Sequence, residues 1–382
     1  MSNLMATYAP PSVTFVKGEG CYLWDLDGKR YVDFLSGLGV TSLGHAHPAV
    51  AEAVCQAART LLHTSNLYGT VPGPEVAGTL DRLLGGGGKV FFTNSGAEAN
   101  ECALKLARKW GGHGRYVVLS AYGSFHGRTL ATLHATGQPA KHEAFQPLPE
   151  GFRHVAWQDL EALERAVTPE VAAVILEPVL GEGGVWPAGE EYFRGVRKIC
   201  DERGVLFIVD EVQTGLGRTG KWWGFEHYGV RPDVVTIAKA LGNGVPVGAC
   251  WATSEVAAAF SPGDHATTFG GQPLAASAAR ATLAAMESED VPARSRSAGS
   301  YIRSKLAGNP RVRDVRGLGL MLGVELVDRD ARQVAEECLA RGLVVNGVTA
   351  TALRLEPPLL ITDGQVDEGL EILDEVLSAR SP

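Results

Sequence analysis

Short, continuous apolar runs rich in β-branched residues recur along this chain at residues 115–120, 171–176, 205–209 and 234–237, each bounded by turn residues. Runs of this kind predict strands buried on both faces, as in a parallel sheet, and not the alternation of a half-solvated one. Between them, apolar residues at helical spacing predict helices over 49–62, after the turn-rich 63–75 to near Leu84, and from Ser95 to about Trp110. Further helices are predicted from about Gly189 to Arg203, stopped by Gly204, over the alanine-rich 274–286, and over 366–377 behind a capping signal at 362–365. Residues 245–251 predict a strand returning along the sheet edge, and 312–326 a strand pair turning around Gly317 and Gly319. Near the start, Tyr22, Trp24, Tyr31 and Phe34 flank an Asp27-Gly28 turn signal and predict a hairpin. Gly85 to Gly88 reads as a flexible connector. Strands alternating with helices predict an α/β protein.

With 382 residues the chain can bury a large core and divide into more than one domain. A formal charge of −8 argues against a nucleic-acid or anionic-membrane partner. Six scattered cysteines, without CxxC or Cys/His metal spacing, read as reduced core thiols of a cytosolic protein. No apolar run approaches membrane-spanning length and the first residues lack signal-peptide features, so a soluble, cytoplasmic protein is expected. His45 and His47 suggest a metal pair, but the adjacent Pro48 favours a structural loop.

Two of the buried runs end in residues that a core does not want. The first delivers Asp210 and the second Lys239. Ligands of open α/β sheets bind at the carboxyl ends of the strands, so neighbouring strands would bring an acid and an amine over one crevice. Pyridoxal phosphate needs this pair: a lysine amine for its aldehyde and a carboxylate to keep its pyridine nitrogen protonated. Either residue alone reads more simply as a solvated lysine or an ordinary N-cap. Ser95-Gly96-Ala97-Glu98 fits a capping box at a helix head, where backbone N–H groups and the helix dipole form a ready anion site. Gly215 to Gly220 spells G-x-G-x-x-G, but no convincing helix follows it, so a dinucleotide site is rejected.

The motifs DEVQTGLGRTG at 210–220, IAKALGNGVPVGA at 237–249, TNSGAEANE at 93–101, SFHGRT at 124–129 and LGHAHP at 43–48 occur in one chain. Together they resemble the class III, ω-amino-acid aminotransferases, most closely those acting on acetylornithine, over nearly the whole length. The resemblance implies the type I fold of pyridoxal-phosphate-dependent transferases: a mostly parallel central sheet with helices on both faces, plus a smaller α+β domain. It implies an N-terminal segment 1–40 packing on the small domain, a large cofactor-binding domain 41–282 and a small domain 283–382. It implies Lys239 and Asp210 as catalytic residues. The cofactor phosphate falls to Ser95, Gly96 and Ala97, its ring to Phe125, and its 3-hydroxyl oxygen to Gln213. Thr268 is implied to reach the phosphate in the neighbouring subunit of a homodimer, with active sites at the interface. Arg128 would hold a substrate carboxylate, while Glu182 would act as a gate, pairing with Arg354 and releasing it for the oxo acid. The implied reaction is a ping-pong transfer from N-acetylornithine to 2-oxoglutarate. Ornithine, succinylornithine or 4-aminobutyrate transfer, or an aminomutase reaction, stands as the alternative. The chain departs from the pattern at Leu180, where relatives carry glutamine, and at Gln272, where they usually carry asparagine.

Overall fold

The computed structural model describes residues 3–379; the expected terminal segments extend into residues 1–2 and 380–382, which lie outside the described residues. At its centre is a seven-stranded sheet in the order Gly88–Thr93, Gly248–Thr253, Val234–Ile237, Leu206–Asp210, Val171–Leu176, Val117–Ala121 and Phe152–Val155. Gly248–Thr253 is antiparallel to both of its neighbours, and every other pairing is parallel.

Because side chains along a strand alternate between faces, the central strands feed two cores. Phe207, Val209, Val235, Ile237, Val174 and Leu176 pack into one. Leu206, Ile208, Val234, Ala173, Ile175 and Val118 pack into the other. Helix Gly96–Gly111 closes the second core through Cys102, Ala103, Leu106 and Ala107. Helix Glu190–Arg203 closes the first, with Phe193 edge-on to Phe207 at 5.2 Å between ring centroids. Each buried Val, Leu, Ile or Phe contributes roughly 1.5–3 kcal/mol relative to exposure, so a polar side chain inside these strands is strongly disfavoured. Charge is displaced to the strand ends.

The strands Phe15–Glu19, Tyr22–Asp25 and Arg30–Asp33 form an antiparallel meander, and Leu343–Val344 adds to it in parallel. Phe34 is fully buried against Gly369 of helix Asp363–Ser378, where a Cβ would come within 2.3 Å of its ring. Near the C-terminus, Val312–Leu318, Met321–Leu326, Ala352–Leu355 and Asn346–Gly347 form a second antiparallel sheet, covered by helices Val291–Leu306 and Ala331–Arg341, against both of which helix Asp363–Ser378 packs. The α/β class, the predominantly parallel sheet with helices on both faces and the smaller α+β portion are those expected.

Two expectations need correction. The 245–251 run does form a strand, but an interior one; the edge belongs to Gly88–Thr93, which the glycine run preceding it concealed. Gly88 is required there, since a Cβ would lie 2.2 Å from the buried Trp251 indole, and Asp81 ties the two strands together by accepting from Gly88 N (2.7 Å) and Trp251 Nε1 (2.9 Å). The capping box at Ser95 is also only half formed. Ser95 Oγ accepts from Glu98 N at 3.2 Å, whereas Glu98 Oε2 turns outward to Asn94 N and Nδ2, both at 2.7 Å.

The G-x-G-x-x-G glycines serve packing: a Cβ on Gly217 would meet Val291 at 2.6 Å, and one on Gly220 would meet Arg296 at 2.5 Å. The same helix makes a still closer approach at Gly299, where a Cβ would lie 2.0 Å from the Gly319 carbonyl oxygen. Gly299→Ala is therefore expected to destabilise the protein by about 1–3 kcal/mol through overpacking, read as a lowered urea midpoint. An unchanged midpoint would contradict this packing.

Candidate active site

Five of the six co-directional strands deliver residues to a single cleft of about 680 Å³ at their carboxyl ends. After Gly88–Thr93 come Ser95, Gly96 and Ala97. Phe125 and Arg128 follow Val117–Ala121, Glu177 and Glu182 follow Val171–Leu176, Asp210 ends Leu206–Asp210, and Lys239 follows Val234–Ile237. The reversed strand contributes the turn before it, Val245 to Val247.

Asp210 is the most firmly held of these groups. Its Oδ2 accepts from Asn100 Nδ2 at 2.8 Å and lies 2.8 Å from His126 Nδ1, and its Oδ1 accepts from Val212 N at 3.1 Å. Asn100 also donates to the His126 carbonyl at 2.7 Å, closing a buried triangle. Lys239 stands in the left-handed region with φ +45°, a strained conformation for a lysine, at the start of a single 3₁₀ turn. Burial draws its amine below the usual lysine value, while the Glu356 carboxylate opposes that shift.

The remaining side chains divide into two groups. Arg354, 1% exposed, donates from Nη1 to Glu182 Oε1 at 3.0 Å and from Nε to Asn346 Oδ1 at 3.1 Å. Burial alone would raise the Glu182 carboxyl, but the Arg354 guanidinium more than offsets it and holds it below the usual carboxylate range. Gln213 Nε2 donates to Glu356 Oε2 at 3.3 Å, and Gly181 is needed beside it because a Cβ would fall 1.9 Å from Gln213 Oε1. Leu180, at the position where relatives carry glutamine, is buried against Gly123 and Gly183. Arg128 is exposed at the cleft rim, its guanidinium 5.7 Å from the centre of the half-buried Phe125 ring.

Thr268 lies outside this cleft. It is exposed, its carbonyl accepts from His63 Nε2 at 2.9 Å, and it borders a separate cavity of about 500 Å³ with Thr267 and Phe269. Gln272 is buried and holds residues 64–66, accepting from Thr64 N at 2.9 Å and donating to Asn66 Oδ1 at 3.0 Å. His45 Nε2 lies 2.7 Å from Asp33 Oδ2, which explains it without His47.

Sequence reasoning passed over Asn100, His126, Glu177, Glu356 and Tyr8. His126 sits inside the SFHGRT motif and Glu356 interrupts an apolar run, so each left a trace. Asn100 left none, being one polar position among several on its helix. Tyr8 lines the cleft from the far N-terminus and is otherwise exposed.

The family model described as "Aminotransferase class-III" matches residues 5–377. The chain belongs to the class III aminotransferases. An acetylornithine aminotransferase from Caldanaerobacter subterraneus subsp. tengcongensis is 49% identical to this class III chain, covering 98% of it and 97% of the relative. One from Gloeobacter violaceus is 47% identical, covering 100% and 96%. A solved ornithine aminotransferase from Toxoplasma gondii, described with partial occupancy of PLP at its active site, superposes with a TM-score of 0.93 at 32% identity, covering 98% of this chain and 92% of that one. Class III aminotransferases depend on pyridoxal phosphate. The donor set fits that cofactor: an amine suits its aldehyde, a fixed buried carboxylate its ring N–H, and a helix N-terminus its phosphate. Gly96 at that helix head packs directly on Val212, where a Cβ would lie 2.7 Å from Val212 Cγ1.

Glu177 accepts from Phe125 N at 2.9 Å and Gly181 N at 3.2 Å, bracing the aromatic loop against the gate loop. Burial pushes its carboxyl up to about 7. A carboxyl raised above its unfolded value adds stability that is complete below the unfolded pKa, near 4.5, and lost as pH climbs through the folded one. The stability advantage of the wild type over Glu177→Gln is therefore expected to narrow between about pH 4.5 and about pH 7, measured by urea denaturation at pH 5 and pH 8. A gap that widens over that interval would contradict the burial argument.

Proposed function

We propose that this class III aminotransferase moves the terminal amine of N-acetylornithine to 2-oxoglutarate, giving N-acetylglutamate semialdehyde and glutamate. The observation that carries this reading is full-length identity of 47–49% to acetylornithine aminotransferases. When bound, pyridoxal phosphate supplies the electron sink that makes a proton on the amine-bearing carbon removable. Lys239 Nζ would hold the aldehyde end and, as a free amine, would take that proton and return it at the other end of the transfer. Its burial and depressed basicity support the role, because a free amine is needed as the base. Asp210, fixed by Asn100 and His126, keeps the ring nitrogen protonated, since an opposite charge favours the charged form. Phe125 would stack on the ring, Gln213 would meet the 3-hydroxyl oxygen, and Ser95, Gly96 and Ala97 would take the phosphate.

Arg128 fixes the donor's distant α-carboxylate while Glu182 occupies Arg354. For 2-oxoglutarate, Arg128 takes the side-chain carboxylate and Arg354, freed from Glu182, takes the one beside the ketone. We further propose a cytoplasmic homodimer, with Thr268 meeting the phosphate across the interface. The exposed apolar side chains Leu67, Tyr68, Val71 and Phe269 support a buried contact on that side, and six free thiols favour a reducing compartment. A division into 1–40, 41–282 and 283–382 is supported by the pairing of the N-terminal meander with Leu343–Val344.

Half-reaction rates for acetylornithine, succinylornithine and free ornithine, read from the cofactor spectrum, test the donor; a preference for free ornithine would overturn the assignment. Lys239→Ala should leave no cofactor-labelled peptide after borohydride reduction, and a labelled peptide elsewhere would refute its role. Arg354→Gln should slow the 2-oxoglutarate half-reaction by about 10- to 100-fold, the cost of one charge-assisted contact, and the acetylornithine half-reaction far less. Equal losses would remove the gate.

A further inference from the structure

The loop bearing Phe125 and Arg128 is stapled to the turn Pro139–Lys141. Gly137 N donates to Ser124 Oγ at 3.0 Å, the Gln138 amide donates to the Ser124 carbonyl at 2.9 Å, and Gly123 N donates to the Gly137 carbonyl at 2.8 Å. Gly137 passes so close to the Ala121 carbonyl that a Cβ would lie 2.0 Å from it. Just after the turn, the buried His142 is fixed by its Nε2, 2.7 Å from the Thr136 carbonyl. Lys141 therefore projects from a backbone pinned on both sides.

Its amine lies 5.4 Å from the centre of the Phe125 ring, the same ring that has the Arg128 guanidinium at 5.7 Å. Among the described residues, neither head group is hydrogen-bonded or ion-paired. Burial lowers the Lys141 amine and the Arg128 charge lowers it further; the opposing carboxylate is Glu182, which is already engaged by Arg354. Phe125 and Arg128 line the cleft and Lys141 stands beside them, just outside its lining, so two cations without a hydrogen-bonded carboxylate share one aromatic ring next to the cleft. The two heads also differ in kind. A guanidinium fork can take both oxygens of a carboxylate, while an ammonium adds a point charge to one of them.

We propose that Lys141 acts with Arg128 as a second cation for the substrate carboxylate farthest from the reacting end, and so sets the preference for substrates that carry one. This rests on the reading of Arg128 given above. The substrate class is that of amino and oxo acids with an anionic group several carbons from the transferred nitrogen. The half-exposed position of Lys141 makes it a contributor to affinity and selectivity rather than to the proton transfer.

The test compares the holoenzyme with Lys141→Gln, Lys141→Glu and Lys141→Arg. Binding of glutarate, an unreactive dicarboxylate, is measured by calorimetry. Steady-state kinetics are measured with acetylornithine and with 1,4-diaminobutane, a donor lacking a carboxylate. Lys141→Gln is expected to weaken glutarate binding by roughly three- to tenfold, the scale of a partly exposed charge contact. The acetylornithine-to-diamine ratio of kcat/KM should fall by a similar factor, through KM more than kcat. Lys141→Glu should lose more and Lys141→Arg should recover most of the affinity. Glutarate binding within twofold across all four proteins would overturn the proposal, as would losses that fall equally on the diamine. Should the wild type reject acetylornithine altogether, the proposed donor fails, while the glutarate series still decides the role of Lys141.

Discussion

The structure is built around a carboxylate that a hydrophobic sheet would not otherwise accept. Asp210 lies at the tip of a strand buried on both faces, and it is tolerated because Asn100, His126 and the Val212 amide converge on its two oxygens. That satisfaction draws on three separate elements: helix Gly96–Gly111, the loop after Val117–Ala121 and the strand's own continuation. Fixing one charge thereby fixes the relative positions of the anion-binding helix head, the aromatic loop and the crevice floor. The interior between the sheet and its helices forbids charge, so the chemistry is confined to one rim.

Much of this was legible in the sequence. Strands buried on both sides announce themselves as unbroken apolar runs, and both Asp210 and Lys239 end such runs. Gly204 stops helix Glu190–Arg203 where expected, while the helix capped by Thr362 begins at Asp363, ahead of the expected 366, because the capping residues are themselves part of its first turn. What escaped depended on long-range contacts. The edge strand Gly88–Thr93 follows a glycine run whose purpose becomes clear only when Trp251, far along the chain, packs over Gly88. Asn100 is an ordinary polar letter until folding brings Asp210 to it. Glu98 satisfies the spacing of a capping box yet turns to Asn94, because spacing constrains reach and not direction.

The charge arrangement in the cleft is uneven. On the inner side, Lys239 and Arg354 face Glu182 and Glu356, so cations and anions are matched. Glu356 is wholly buried, with Oε1 unpartnered, and lies 3.9 Å from Arg354 Nε. Together with Glu182 it sets two carboxylates against one buried guanidinium, which offsets the cost of burying that charge. On the outer rim, by contrast, positive charge is in surplus.

The antiparallel strand Gly248–Thr253 also governs the order in which the molecule can be assembled. Gly88–Thr93 reaches the sheet only by pairing with it, across an interval of chain that includes all five of the other central strands. During synthesis the strand Gly88–Thr93 thus has no partner in the sheet until that distant segment has left the ribosome, and until then the flank of Val234–Ile237 presents unpaired backbone to its surroundings. The last sheet strand to be made is the one that seals an aggregation-prone edge and completes the crevice.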